Sequence, residues 1–412
     1  MNSLLLNSLL LRRLPAVPLT ACLALAVTAC ATPTASATPS GLAAASTDPA
    51  VAAAAVTVSP DVPRLELPRP TGPDPVGRDV LYLVDRSRKD PWVPRSGPRR
   101  LMVSMYYPAR SATGAPAPFM ALEEAASLLR RKAPGTDLPA EIVSDIRTHA
   151  HAGPPAKKGR HPLVVLSPGL GLPRASLTSL AEDLASRGYV VASLDHAYES
   201  SGTVFPGVGL LTCAPLCDQP KPPEGGKAAI ARNRAKDVSF VLDRLTGRHP
   251  AWKRAGLINS RRVGMAGHSI GGEAASATMA ADTRIRAGVN LDGTISATLP
   301  AAGLGDRPFL LMGSQSDHSP GKDDTWDSAW PTLRGWKRWL TVAQARHNSF
   351  TDLAVPQSKL GPPAPGTIAP ERALALTRAY VGAFFDQHLK NRRQALLDGP
   401  TPGNPEVGFH NP

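Results

Sequence analysis

The chain has 412 residues, of which 42% are hydrophobic and 19% charged, and its formal net charge is +13. That length and balance read as globular, with one large domain or two smaller ones. The basic charge is read as a solvated surface and not as nucleic-acid binding, because no basic run is interleaved with aromatic residues and no known binding module is present.

In chain order, the first thirty residues read as an export signal. Arg12 and Arg13 form a positive start, Leu14 to Val27 an apolar stretch, and small residues follow. Pro15 and Pro18 make this span short for a stable transmembrane helix. Val27-Thr28-Ala29-Cys30 resembles a bacterial lipobox, in which Cys30 is lipidated and holds the protein to a membrane surface. The alternative is cleavage near Ala35-Ser36-Ala37, releasing a free protein. Either way the protein is expected to be extracellular or at the cell surface. Removal of Arg12 and Arg13 leaves +11 (13 − 2).

Residues 31–70 are Ala, Thr, Ser and Pro with few large apolar side chains, and are expected to form a disordered tether. Residues 71–412 are expected to form one domain with insertions. It holds just two cysteines, Cys213 and Cys217, and in an oxidising compartment so close a pair predicts a disulfide. A metal site there lacks two further ligands at suitable spacing. No metal and no cofactor are expected.

Strand-like runs open the domain at Asp79–Val84 and Leu101–Tyr107, and a helical insertion lies near Ala121–Lys132. Pro162–Leu166 suits a buried parallel strand. After the turn Ser167-Pro168-Gly169-Leu170-Gly171, a helix carries Leu177, Leu180, Ala181 and Leu184 on one face and stops at Gly188. Tyr189–Leu194 is the next strand. A second helix carries Val238, Val241, Leu242 and Leu245, and the strand Val263–Ala266 follows. Further strands are expected at Ala287–Leu291 and Phe309–Met312, with a last helix from Glu371 to Leu397. Strands alternating with helices imply an α/β fold with a mostly parallel sheet covered on both faces.

The chemistry centres on Gly267-His268-Ser269-Ile270-Gly271-Gly272. A bare Gly-x-Ser-x-Gly is weak, but here a strand precedes it and a helix of small residues follows. A nucleophile elbow needs that strand–turn–helix context. A serine hydroxyl also needs a base, and the base a carboxylate that orients it. Of the histidines after Ser269, His388 falls in a helix and His410 in a Pro-rich tail. His318 comes early, just after the Phe309–Met312 strand, which leaves His347 as the base. For the acid, Asp292 and Asp317 both end strands, and pattern does not choose between them. Trp326, Trp330, Trp336 and Trp339, at near-helical spacing, read as core more readily than as a substrate pocket.

These pieces resemble the secreted and bacterial platelet-activating-factor acetylhydrolase group of lipase-like α/β-hydrolases. The matching residues are Tyr106-Tyr107-Pro108-Ala109, Ser167–Gly171, Asp183–Ala192, the Ser269 elbow, Leu291-Asp292-Gly293 and His347-Asn348-Ser349-Phe350, in family order. The resemblance implies an α/β-hydrolase fold and an acid on the strand after the elbow, at Asp292. It also implies an oxyanion hole made by the backbone N–H groups of Leu170 and Ile270. One departure is Pro168, where the family commonly has His. The expected activity is serine hydrolysis of carboxylic esters, with short-chain acyl or phospholipid sn-2 acyl esters as substrates. A cutinase or polyester-type esterase, which would favour Asp317, and a non-catalytic surface lipoprotein are the alternatives.

Overall fold

The computed structural model describes residues 65–357 and 365–411. The export signal, Cys30 and the tether as far as residue 64 lie outside the described residues. The last part of the expected tether does not behave as one. Leu65 and Leu67 are buried against Phe119, Leu128 and Ile146, so the packed domain starts several residues before the expected boundary at 70.

Among the described residues twelve strands are formed: β1 (Val76–Lys89), β2 (Pro98–Pro108), β3 (Ala150–Ala152), β4 (His161–Ser167), β5 (Val190–His196), β6 (Thr203–Phe205), β7 (Gly209–Leu211), β8 (Ile258–His268), β9 (Ile285–Leu291), β10 (Phe309–Ser314), β11 (Lys337–Val342) and β12 (Val407–His410). Ten of them make one sheet in the order β12-β11-β10-β9-β8-β4-β5-β2-β1-β3, and β6 and β7 pair as a separate hairpin. From β5 to β11 neighbours run parallel, while β12, β2 and β1 add antiparallel pairings at the two sides.

Both faces of the central strands are covered, which is why their sequences are continuously apolar. Along β4, Val164 and Leu166 point into one core with the helices Thr178–Ser186 and Pro370–Lys390, through Leu180, Leu184, Tyr380 and Phe384. Leu163 and Val165 point the other way, towards the helices Gly226–Thr246 and Ile270–Ala281, through Val238, Leu242 and Ala274. Burial of each such Val, Leu or Phe contributes about 1.5–3 kcal/mol. This is the α/β-hydrolase fold expected from the sequence.

Three local expectations need correction. The near-helical spacing of the Trp residues before His347 does not correspond to one helix. Trp326 lies in the short helix Asp324–Ala329, but Trp339 lies in β11, and the loop carrying His347 leaves that strand. The last helix ends at Lys390 and not at Leu397, because Asn391 takes a left-handed conformation (φ 56°) that turns the chain. His410 sits in β12, where its Nε2 is 2.8 Å from Thr341 Oγ1. The Trp residues are core as expected: Trp326, Trp330 and Trp339 are buried, and Trp336 is partly so.

Candidate active site

The site forms where β4, β8, β9 and β10 end, the edge at which open α/β sheets collect their sites. Ser269 stands between β8 and the helix Ile270–Ala281 with φ 56° and ψ −125°. An L-residue in that region is strained, and the strain is held by neighbours. Ser269 N–H donates to Leu291 O (2.8 Å), while Ser269 O accepts from Gly272 and Glu273 N–H. The flanking glycines are required by close approach: a Cβ on Gly271 would run into the Ser167 carbonyl, and one on Gly267 into Gly271. The elbow expected from the motif is therefore formed.

His347 opens a short helical turn (His347–Phe350) after β11, and its Nδ1 lies 2.6 Å from Asp292 Oδ2. The Asp292 side chain is fully buried, whereas half of the His347 side chain is exposed. Asp292 ends β9, its N–H donates to Met312 O, and its Oδ1 accepts from Ser314 N–H at 2.5 Å. Burial alone would raise the Asp292 carboxyl pKa. The hydrogen bond from His347, the charge of His318 and the Ser314 N–H outweigh burial and hold it below its ordinary value. The carboxylate is thus kept ionised against the imidazole Nδ1–H, leaving Nε2 free to take a proton. No hydrogen bond joins Ser269 Oγ to His347 among the described residues, but Ser269, Asp292 and His347 line the same open cleft of about 550 Å³.

Asp317, the other candidate acid, is exposed and accepts from Ser314 Oγ at 3.0 Å. It lines the same cleft without meeting His347. Of the two carboxylates left open by pattern, Asp292 is the one paired to the imidazole.

Leu170 and Ile270 also line the cleft. Neither N–H donates to another group among the described residues, and Ile270 opens a helix, where the first N–H groups lack internal partners and the helix dipole is positive. Leu170 and Ile270 pack with Leu216, Ile230 and Trp92 into a small apolar wall. Cys213 and Cys217 are joined across one helical turn with Cα atoms 5.3 Å apart. A Cβ on Gly171 would lie 3.8 Å from both sulfurs, so the bridge packs on the Ser167–Gly171 turn.

Three residues around the site were not foreseen. His268, inside the Ser269 motif, is buried; its Nε2 lies 2.7 Å from the His347 carbonyl oxygen, and the two rings are 4.6 Å apart. Burial, helped by neighbouring His347, pushes its pKa down to about 3, so it stays neutral and donates through Nε2–H. His318, read as too early for the base, instead touches Asp292. Its Nε2 is 3.5 Å from Asp292 Oδ1, its Nδ1 is 2.8 Å from Asp323 Oδ2, and its ring stacks on Trp326 at 4.2 Å. Burial would lower its pKa, but Asp323 and Asp292 outweigh burial and raise it. The third is Arg234, buried behind the Ser167–Gly171 turn. Spacing gave no signal for these three, because each acts through a partner distant in sequence.

Known proteins similar to this chain are esterases and acetylhydrolases. The family model described as platelet-activating factor acetylhydrolase, isoform II, matches residues 63–206. The chain is 29% identical over 386 residues to a probable 1-alkyl-2-acetylglycerophosphocholine esterase of Arthroderma benhamiae, covering 83% of this chain and 93% of that one. It is 23% identical over 299 residues to the platelet-activating factor acetylhydrolase of Canis lupus familiaris, covering 63% and 65% of the two chains. Among solved structures it is similar to a ferulic acid esterase from Streptomyces cinnamoneus, with 42% identity, a TM-score of 0.75, and coverage of 84% of this chain and 99% of that one. The chain is an α/β-hydrolase and a carboxylic ester hydrolase, and its residues 63–206 match the platelet-activating factor acetylhydrolase, isoform II, family.

Proposed function

We propose that the chain is a serine esterase that cleaves esters of compact acyl groups through an acyl-enzyme. The observation that carries this reading is the strained Ser269 elbow in one cleft with a 2.6 Å His347–Asp292 pair. Ser269 Oγ attacks the ester carbonyl while His347 Nε2 takes its proton, and Asp292 holds the ring and stabilises the imidazolium. The carbonyl oxygen, now anionic, is met by the N–H groups of Leu170 and Ile270, each worth about 3–4 kcal/mol in such a hole. His347 returns the proton to the leaving alkoxide. A water, deprotonated by His347, then frees the acid and regenerates Ser269.

The apolar wall of Leu170, Leu216, Ile230 and Ile270 is short, while the rest of the rim carries Lys227, Asp317, Lys322 and Asp324. That combination suits a small acyl group on a polar alcohol, as in the acetyl ester that the Arthroderma relative's name describes. A second reading, an aromatic acid ester, is favoured by 42% identity to the ferulic acid esterase. Export remains part of the proposal on sequence grounds: the charged and apolar start of residues 1–30 supports secretion, and Val27–Cys30 supports lipid attachment at Cys30.

The test is labelling by a fluorophosphonate probe, followed by turnover of p-nitrophenyl esters of rising chain length, a phospholipid with an sn-2 acetyl group, and methyl ferulate. The expected result is labelling lost in Ser269→Ala and rates that fall steeply with acyl length. Folded wild-type protein that fails to label overturns the serine mechanism. Preference for long acyl chains overturns the compact-acyl reading, and methyl ferulate outpacing both acetyl esters establishes the second one.

A further inference from the structure

Behind the active site lies a cluster of charges that no step above uses. Arg99, Asp237, Glu199, Arg234, Asp90 and His196 are all at most 2% exposed. Asp237 pairs with Arg99 (2.8 Å), Arg88 and His196 Nδ1 (2.6 Å), and Arg99 also reaches Asp90 (2.9 Å) and Glu199 (2.5 Å). Removing so many charges from water is costly, and well-packed apolar side chains of like volume would hold a fold as well or better. What the cluster touches is therefore informative.

Its outlets converge on the turn between β4 and the helix Thr178–Ser186, where Leu170 sits. Arg234 Nη1 donates to the Pro168 carbonyl and to Ser167 Oγ (3.0 Å), and Ser167 Oγ lies 3.1 Å from His196 Nε2. At the far end, Gly171 N–H donates to the backbone carbonyl of Glu199 at 2.8 Å. The two anchoring residues are also joined through their side chains, Arg234 Nε donating to Glu199 Oε2 at 2.7 Å. Trp92, which packs on the apolar wall with Leu170, donates to Glu199 Oε1 at 2.8 Å. Pro168 has no N–H, so its carbonyl is the handle by which this part of the turn can be held.

We propose that the Arg234–Glu199 pair is a positioning device for catalysis: by fixing the Pro168 carbonyl and the Gly171 N–H, it aims the Leu170 N–H between them at the oxyanion. The inference rests on the assignment of Ser269 as nucleophile and Leu170 as oxyanion donor. A donor preset in this way does its work in the transition state more than in the bound ester. Loss of the anchor accordingly lowers kcat and leaves KM nearly unchanged.

The test compares wild type, Arg234→Lys and Ser167→Ala for p-nitrophenyl acetate hydrolysis and for inhibition by a trifluoromethyl ketone, whose serine adduct places an oxyanion in the hole. Lys keeps the buried charge but cannot hold Glu199 and Pro168 together. Arg234→Lys should lose kcat by about 10- to 100-fold, as a displaced reacting group does, with KM within about twofold and inhibitor affinity falling in parallel with kcat. Ser167→Ala removes the hydroxyl anchor without burying an unpaired charge and should show a smaller loss of the same kind. A folded Arg234→Lys with wild-type kcat and inhibitor affinity overturns the proposal. Should Arg234→Lys not fold, Ser167→Ala decides, and an unchanged kcat there overturns it. Fluorophosphonate labelling separates the two readings: an unlabelled wild type removes both, whereas labelled wild type with an unaffected variant removes this one alone.

Discussion

Replacement of Asp292 by Asn is the sharpest test of the site. The carboxylate accepts from His347 Nδ1 at 2.6 Å through Oδ2 and from Ser314 N–H at 2.5 Å through Oδ1. Asn retains a carbonyl oxygen for Ser314, but then turns its NH2 group towards His347 Nδ1. The imidazole must accept there, so its proton moves to Nε2, where it blocks attack by Ser269. In a triad this tautomer error costs about 10⁴-fold in kcat, equivalent to about 5 kcal/mol of barrier. Asp317→Asn alters a side chain that is exposed and bound to Ser314 Oγ, so kcat should stay within about threefold, as for a surface change of at most about 0.5 kcal/mol. Steady-state hydrolysis of p-nitrophenyl acetate measures both, with thermal melting as a check that the variants fold. If Asp317→Asn collapses the rate while folded Asp292→Asn loses less than about tenfold, the pairing of His347 with Asp292 is not the catalytic one.

Two further changes probe what surrounds the triad. Asp323 and Asp292 hold the His318 pKa up, so its contribution to stability is complete below the ordinary histidine pKa and is lost as pH rises through the raised one. His318→Phe keeps the stack on Trp326 but removes the charge; urea melts should show a deficit of about 1–3 kcal/mol in mildly acidic buffer that shrinks in alkaline buffer, and a deficit independent of pH contradicts the ion-pair account. Gly271→Ala forces a Cβ against the Ser167 carbonyl, at the contact between elbow and oxyanion turn. A loss of about 1–3 kcal/mol in stability and slower labelling of Ser269 are expected, and an unchanged melting temperature would show that this contact is loose.

Much of the fold was legible because each central strand announces itself in a few residues. Pro162–Leu166 is continuously apolar, and the strand that forms there buries side chains on both faces. The helices nearby keep an i, i+3, i+4 pattern, so their inner faces could be read at Leu180 and Leu184 or at Val238 and Leu242. The peripheral pieces failed for a matching physical reason. Strand β11 begins with Lys337 and Arg338 one strand in from the sheet's edge, and the edge strand β12 follows a Pro- and Gly-containing stretch; each is defined by its neighbour more than by its own pattern. Leu65 and Leu67 were hidden among prolines, and their burial depends on the insertion at Leu122–Lys132 folding over them.

The site divides along the same line. Ser269 was readable because an elbow is local: strand, strained residue and helix are contiguous, and the glycines mark where backbones must meet. His347 followed by elimination, since the other histidines after Ser269 fell in elements or positions unsuited to a base. Asp292 could not be chosen from its own surroundings, because Asp317 ends a neighbouring strand just as well; only the register of β9 against β10 puts one carboxylate under the imidazole and the other at the rim. His318, His268 and Arg234 are further along this scale. Each makes its decisive contact with a residue distant in sequence: Asp292, the His347 carbonyl and Pro168 respectively. The proposed triad thus needs one tertiary fact beyond its motif, whereas the groups that hold His347, Asp292 and the Ser167–Gly171 turn need the whole sheet. Substitutions at those supporting positions should consequently tell more about how this cleft is tuned than substitutions at Ser269, which can only abolish it.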